Sequence, residues 1–96
     1  MANIAIMGFG TVGAGVAKVL EMNGASMAAR LDAPLHLKYI LDVRDFDQGR
    51  YADRMIKDFS IIENDPEVEV VVETIGGKGV ALDFTSRALK AGKHVV

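Results

Sequence analysis

Ninety-six residues make one small domain at most, and half of them are hydrophobic, so a single modest core is possible. The net charge of −2 comes from acidic and basic residues mixed along the chain, which leaves no basic stripe for a nucleic acid. The chain has no cysteine, which excludes disulfides, thiolate nucleophiles and cysteine-bound zinc, and no apolar run approaches a membrane span. A cysteine-free chain fits a reducing cytoplasm. The N-terminus has no basic segment of the kind that opens a signal peptide.

Ile4 to Met7 reads as a short buried strand. It runs directly into Gly8-Phe9-Gly10-Thr11-Val12-Gly13, a Gly-x-Gly-x-x-Gly turn. Val12, Val16, Val19 and Leu20 then repeat at helical spacing and share one predicted face. Strand, glycine turn and helix in this order read as a dinucleotide fingerprint. Gly8 makes the tight exit, Gly10 lets a pyrophosphate approach the backbone, and Gly13 lets the helix pack on the strand. The helix start offers N–H groups and a positive dipole end to phosphates. The bland reading of the same residues is a strand-to-helix turn.

The first helix is expected over Thr11 to about Met22, ended by Gly24, with an alanine-rich turn before Asp32-Ala33-Pro34 breaks the pattern. Leu35 to Val43 reads as the second strand. In a mononucleotide-binding half its tip faces the adenine ribose. Here the tip is Asp42-Val43-Arg44-Asp45. An acid at the tip accepts hydrogen bonds from ribose hydroxyls and favours NAD, whereas an arginine just beyond pairs with a 2′-phosphate and favours NADP. Both are present. Arg50, Arg54 and Lys57, at i, i+4, i+7 spacing, would share a helix face, solvated in preference to a phosphate site, and Tyr51 to about Ser60 reads as a short helix.

Asn64-Asp65-Pro66 is a turn. Val68 to Ile75 is the clearest strand, β-branched and mostly apolar as a central parallel strand must be. Glu73 lies near its C-terminal edge, where ligands bind in such sheets, and Gly76-Gly77 follow as a candidate ligand-facing loop. Val80 to Ala91 is the next helix, with Gly92 at its C′ position, and His94-Val95-Val96 start another strand. The span reads as part of a longer protein. His36 and His94 read as structural, the methionines as core filler and Lys78 as exposed.

Gly8-Phe9-Gly10-Thr11-Val12-Gly13 with Gly15-Val16 resembles the N-terminal signature of homoserine dehydrogenases. Val43-Arg44-Asp45, Val71-Val72-Glu73 with Gly76-Gly77, and the run Ala88 to Val96 agree in order. The last run is also similar to segments of sugar and inositol dehydrogenases.

The resemblance implies an α/β, Rossmann-type doubly wound parallel sheet with helices on both faces, cut after the start of a late strand. Residues 1–96 would be an incomplete NAD(P)-binding domain, its substrate and dimerisation domain lying elsewhere. It further implies NAD(P)-dependent interconversion of aspartate semialdehyde and homoserine, serving threonine, methionine and isoleucine synthesis, by a cytoplasmic homo-oligomer. Phe9, Thr11 and Val12 would contact the cofactor beside Gly8, Gly10 and Gly13. Arg44 would meet the 2′-phosphate, and Thr74 and Gly76 the nicotinamide ribose. The catalytic lysine and acid would lie outside this span, leaving no catalytic residue and no metal site within it. The rivals are another NAD(P) dehydrogenase of small carbonyl compounds, such as an aspartate or sugar dehydrogenase, and a non-catalytic nucleotide sensor. A lysine-bearing loop and a large α/β domain beyond Val96 would favour the enzyme, and a short helical dimer arm the sensor.

Overall fold

The computed structural model describes residues 2–31, 35–44, 49, 51–76 and 79–96. Strand β1 (Ala2–Met7) leads into helix α1 (Thr11–Leu31), and strand β2 (Leu35–Leu41) follows. A 3-10 turn at Ala52–Arg54 precedes the two-residue strand β3 (Met55–Ile56) and the short helix α2 (Phe59–Glu63). Strand β4 (Val68–Glu73), helix α3 (Val80–Lys90) and strand β5 (His94–Val95) complete the order. All strand pairings are parallel, and the sheet order is β3-β2-β1-β4-β5.

β1 is thus the middle strand, with apolar side chains on both faces. Ala5 and Met7 pack with Phe59, Ile62, Val71 and Ala88 on the α2/α3 side. Ile6 packs with Ile40, Leu37 and Ala17 on the α1 side. Helices on both faces of a parallel sheet are the expected doubly wound arrangement. On the α2/α3 side, the Phe59 and Phe84 rings stack with centroids 4.5 Å apart, and the Arg87 guanidinium lies 4.9 Å from the Phe59 centroid. Arg87 also pairs with Glu63 at 2.7 Å, which ties α3 to α2.

Several expected elements differ from the observed ones. α1 continues through Gly24 to Leu31. An interior glycine costs a helix about 1 kcal/mol, and the alanine-rich stretch that follows offsets it. Val12 and Val19 are exposed, so the buried face of α1 is Gly13, Val16, Ala17 and Leu20. The helix expected over Tyr51 to Ser60 is instead the 3-10 turn, β3 and the first turn of α2, so Arg54 and Lys57 share no helix face. Met7 is fully buried, but Met22 is 72% exposed and fills no core. Arg50, Lys78 and the Asp32-Ala33-Pro34 break lie outside the described residues.

α3 ends as its sequence predicts. Gly92 has φ +83°, and the Lys93 N–H donates to the Ala88 carbonyl at 3.0 Å, closing a Schellman motif. This geometry turns Lys93 inward. It is 6% exposed, and its Nζ donates to the Asp65 carbonyl at 2.7 Å and the Val68 carbonyl at 2.9 Å.

Candidate dinucleotide site

The chain leaves β1 toward β2 on one side, while β4 lies on the other, so the C-terminal ends of β1 and β4 form the switch point where such sheets bind ligands. Gly8 emerges there with φ +99°, a conformation that favours glycine, and its N–H donates to the Leu41 carbonyl at 2.7 Å. At Gly13 the constraint is contact. A Cβ there would lie 1.9 Å from the Gly8 carbonyl oxygen and 3.0 Å from the Thr74 hydroxyl. At Gly10 a Cβ would meet only Arg44 Nη2, at 3.7 Å, so this position is open toward the arginine. Thr11 and Val12 begin α1, ahead of the Ala14 N–H bond to the Gly10 carbonyl, and both are exposed. Their N–H groups belong to the first turn, which has no intrahelical acceptors.

Thr74 stands between the two strand ends. Its N–H donates to the Met7 carbonyl at 2.9 Å, and its hydroxyl lies 2.9 Å from both the Met7 and the Gly8 carbonyl oxygens. The side chain that the resemblance places at a nicotinamide ribose is therefore also a tie holding the glycine loop to β4. Gly76 has φ +76°, and its N–H donates to Glu73 Oε1 at 2.7 Å. Glu73 is thereby a turn-forming carboxylate at the binding edge. Gly77 and Asp45 lie outside the described residues. The Phe9 ring meets the Tyr51 ring edge-on at 5.8 Å and packs on the α1-side core.

Asp42 and Arg44 close the β2 side. The Asp42 side chain is 7% exposed and accepts the Phe9 N–H at 2.9 Å and the Arg44 N–H at 2.9 Å. Arg44 adds a bidentate fork, Nε to Oδ1 at 3.0 Å and Nη2 to Oδ2 at 2.8 Å. The guanidinium beside Asp42, helped by the two backbone N–H groups and opposed by burial, holds its carboxyl well below the usual carboxylate range.

A folded-state pKa below the unfolded value, about 3.9, means that ionised Asp42 stabilises the fold above that value. The contribution is lost as pH falls from about 4 toward the folded-state pKa. Acid unfolding monitored by circular dichroism should therefore be less steep below pH ~4 in Asp42→Asn. An unchanged pH dependence would remove Asp42 from the set of stabilising carboxylates.

Together these groups border a cleft of about 390 Å³. Its walls include Gly8, Gly10, Asp42, Arg44 and Thr74, all expected from sequence, and also Lys57, Val80 and Phe84, which were not. Lys57 follows β3, a strand too short to show a period, so its position at the C-terminal sheet edge could not be read. Val80 and Phe84 come from the start of α3 and give the cleft an apolar wall. A volume in the ordinary ligand range, a backbone approach at Gly10 and a helix N-terminus at one edge fit a dinucleotide.

The comparisons with known proteins agree with this geometry. The family model for the homoserine dehydrogenase NAD-binding domain matches residues 8–96. This chain belongs to that family. Among curated homoserine dehydrogenases, that of Methylobacillus glycogenes is 35% identical over 98% of the chain, and that of Corynebacterium glutamicum 38% identical over 97%. The homoserine dehydrogenase of S. aureus superposes at a TM-score of 0.86 with 35% identity over 98% of the chain. That of Thiobacillus denitrificans gives a TM-score of 0.86 with 27% identity.

The chain spans 24% of the Methylobacillus protein and 25% of the S. aureus chain, about a quarter of each. The cofactor class of this NAD-binding domain family is a nicotinamide dinucleotide. Among the described residues, no helix is long and apolar enough to cross a membrane.

Proposed function

We propose that residues 1–96 are the cofactor-holding part of an NAD(P)-dependent homoserine dehydrogenase, which interconverts L-aspartate 4-semialdehyde and L-homoserine. That step belongs to threonine, methionine and isoleucine synthesis in the cytoplasm, and the full-length protein acts as a homo-oligomer. Substrate contacts, catalytic groups and the dimerisation surface come from the polypeptide outside this span. The observation that carries the reading is the juxtaposition, at one sheet edge, of the Gly8–Gly13 turn, the start of α1 and the Asp42–Arg44 pair.

The bound nicotinamide supplies hydride transfer. The chain's own residues hold it in place. The open Gly10 backbone and the N–H groups of Thr11, Val12 and Gly13 receive the pyrophosphate. Arg44 faces the adenosine end. Thr74 and Gly76, just beyond β4, would border the nicotinamide ribose, and Gly77 is proposed as a further cofactor contact. Val80 and Phe84 shield one side of the cleft from water.

Calorimetric titration with NADPH and NADH tests the reading. Saturable binding of at least one is expected, and Gly10→Val should abolish it while the circular dichroism spectrum is preserved, because the new side chain enters the pyrophosphate position. Equal affinity in the variant and the parent would sink the assignment.

A further inference from the structure

The carboxylate of Asp42 has no acceptor position left for a ribose. An ionised carboxylate offers about four lone-pair sites. The donors on Asp42 are the Phe9 N–H, the Arg44 N–H, Arg44 Nε and Arg44 Nη2, all between 2.8 and 3.0 Å. A ribose diol seeking Asp42 would have to evict the guanidinium and break a bidentate charge-assisted pair. The same fork fixes where the guanidinium sits. Nη2 comes within 3.7 Å of the Cβ position of Gly10, while the Arg44 side chain as a whole is 61% exposed at the mouth of the cleft. Lys57 borders the same cleft and adds positive charge.

We propose that Asp42 is a positioning residue that locks the Arg44 guanidinium beside the glycine loop, and that this lock makes the site select a dinucleotide bearing a 2′-phosphate over one with a free 2′-hydroxyl. The inference rests on the cleft being the NAD(P) site. It assigns Asp42 the opposite role from an acid that reads the ribose. The carboxylate joins three parts: the end of β2, the arginine that meets the phosphate, and the Phe9 N–H of the glycine loop. Loss of the lock leaves the guanidinium charge in place but removes its orientation, so the phosphate-bearing ligand loses most.

The test is a double-mutant cycle on the full-length protein, read by calorimetric affinities for NADPH and NADH. The parent should bind NADPH at least about tenfold more tightly. Arg44→Ala should lower NADPH affinity by about 10- to 100-fold. NADH affinity should hold or rise, because the Asp42 carboxylate becomes available to the diol. Asp42→Asn should cost NADPH several-fold and NADH less. In the Arg44→Ala background the same change should cost NADPH less than about twofold. A purely structural role would weaken both dinucleotides alike and persist in that background.

A parent that prefers NADH, or an Asp42→Asn variant that loses NADH selectively, would overturn the proposal. If Asp42→Asn fails to fold, Arg44→Lys decides the matter. It keeps the charge but cannot form the fork, so a retained NADPH preference would refute the lock. Binding of neither dinucleotide by a folded parent would remove the cofactor reading itself, and this inference with it.

Discussion

Gly13→Ala is expected to destabilise the domain by about 3 kcal/mol or more, because the new methyl meets backbone and not a yielding side chain. The Cβ would sit 1.9 Å from the Gly8 carbonyl oxygen and 2.9 Å from the Gly8 carbonyl carbon. Relief needs α1 to move away from the end of β1. That movement also strains Thr74, whose hydroxyl would lie 3.0 Å from the added atom. For a domain of this size a loss of that order lowers the melting temperature by roughly 12 °C or more. Gly10→Ala is the control. Its Cβ meets only Arg44 Nη2 at 3.7 Å, so its melting temperature should stay close to the parent's. Thermal denaturation followed by circular dichroism reads both. A Gly13→Ala protein that melts with the parent would show that the loop and helix do not approach this closely in solution.

Ile6→Ala should cost about 3–4 kcal/mol through lost burial and an unfilled cavity. Ile6 is fully buried on the middle strand, in register with Ile40 on β2 and Val72 on β4, and in the same cluster as Ala17 of α1. Neighbours on two strands and a helix limit how far the site can collapse around the gap. Against a total stability of roughly 5–14 kcal/mol for a chain of this length, one such cavity removes a large share. Ile61→Ala, at a position 43% exposed on α2, should cost less than about 1 kcal/mol. Urea titrations of the two variants separate them. Similar midpoints would mean that the α1-side core is not closely packed around β1.

The fold was legible where a pattern ran long enough to show its period. β1, the glycine turn and the start of α1 follow from residues 4–20, and β4 from its β-branched run. α3 and its stop follow from the run Val80 to Ala91 with Gly92 at its C′ position, where the structure has φ +83°. β3 has only Met55 and Ile56, and two residues carry no alternation, so the strand and the place of Lys57 beside it were missed. The end of α1 was misread because Gly24 looked like a stop, whereas a single interior glycine is affordable in a helix of 21 residues.

At the site, spacing and the family resemblance proposed groups that the structure brings to one cleft, Gly8, Gly10, Asp42, Arg44 and Thr74 among them, but not what each side chain touches. Asp42 was legible as an acid at a strand tip. Its role depends on a bond to the Phe9 N–H, 33 residues earlier, which no local pattern encodes. Thr74 was proposed only through the resemblance, and its hydroxyl faces the carbonyls of Met7 and Gly8, 67 and 66 residues away.

The central place of β1 also orders assembly in time. Both of its neighbours follow it in the chain, and its tie through Thr74 waits for a residue 67 positions on. Each such closure carries an entropic cost before any contact compensates it. During synthesis β1 therefore has β2 to pair with before β4 emerges, and the glycine turn gains its Thr74 tie only once the end of β4 has been made. The cleft can close only after Thr74, Val80 and Phe84 have been made, although its glycine motif precedes every other part of its wall.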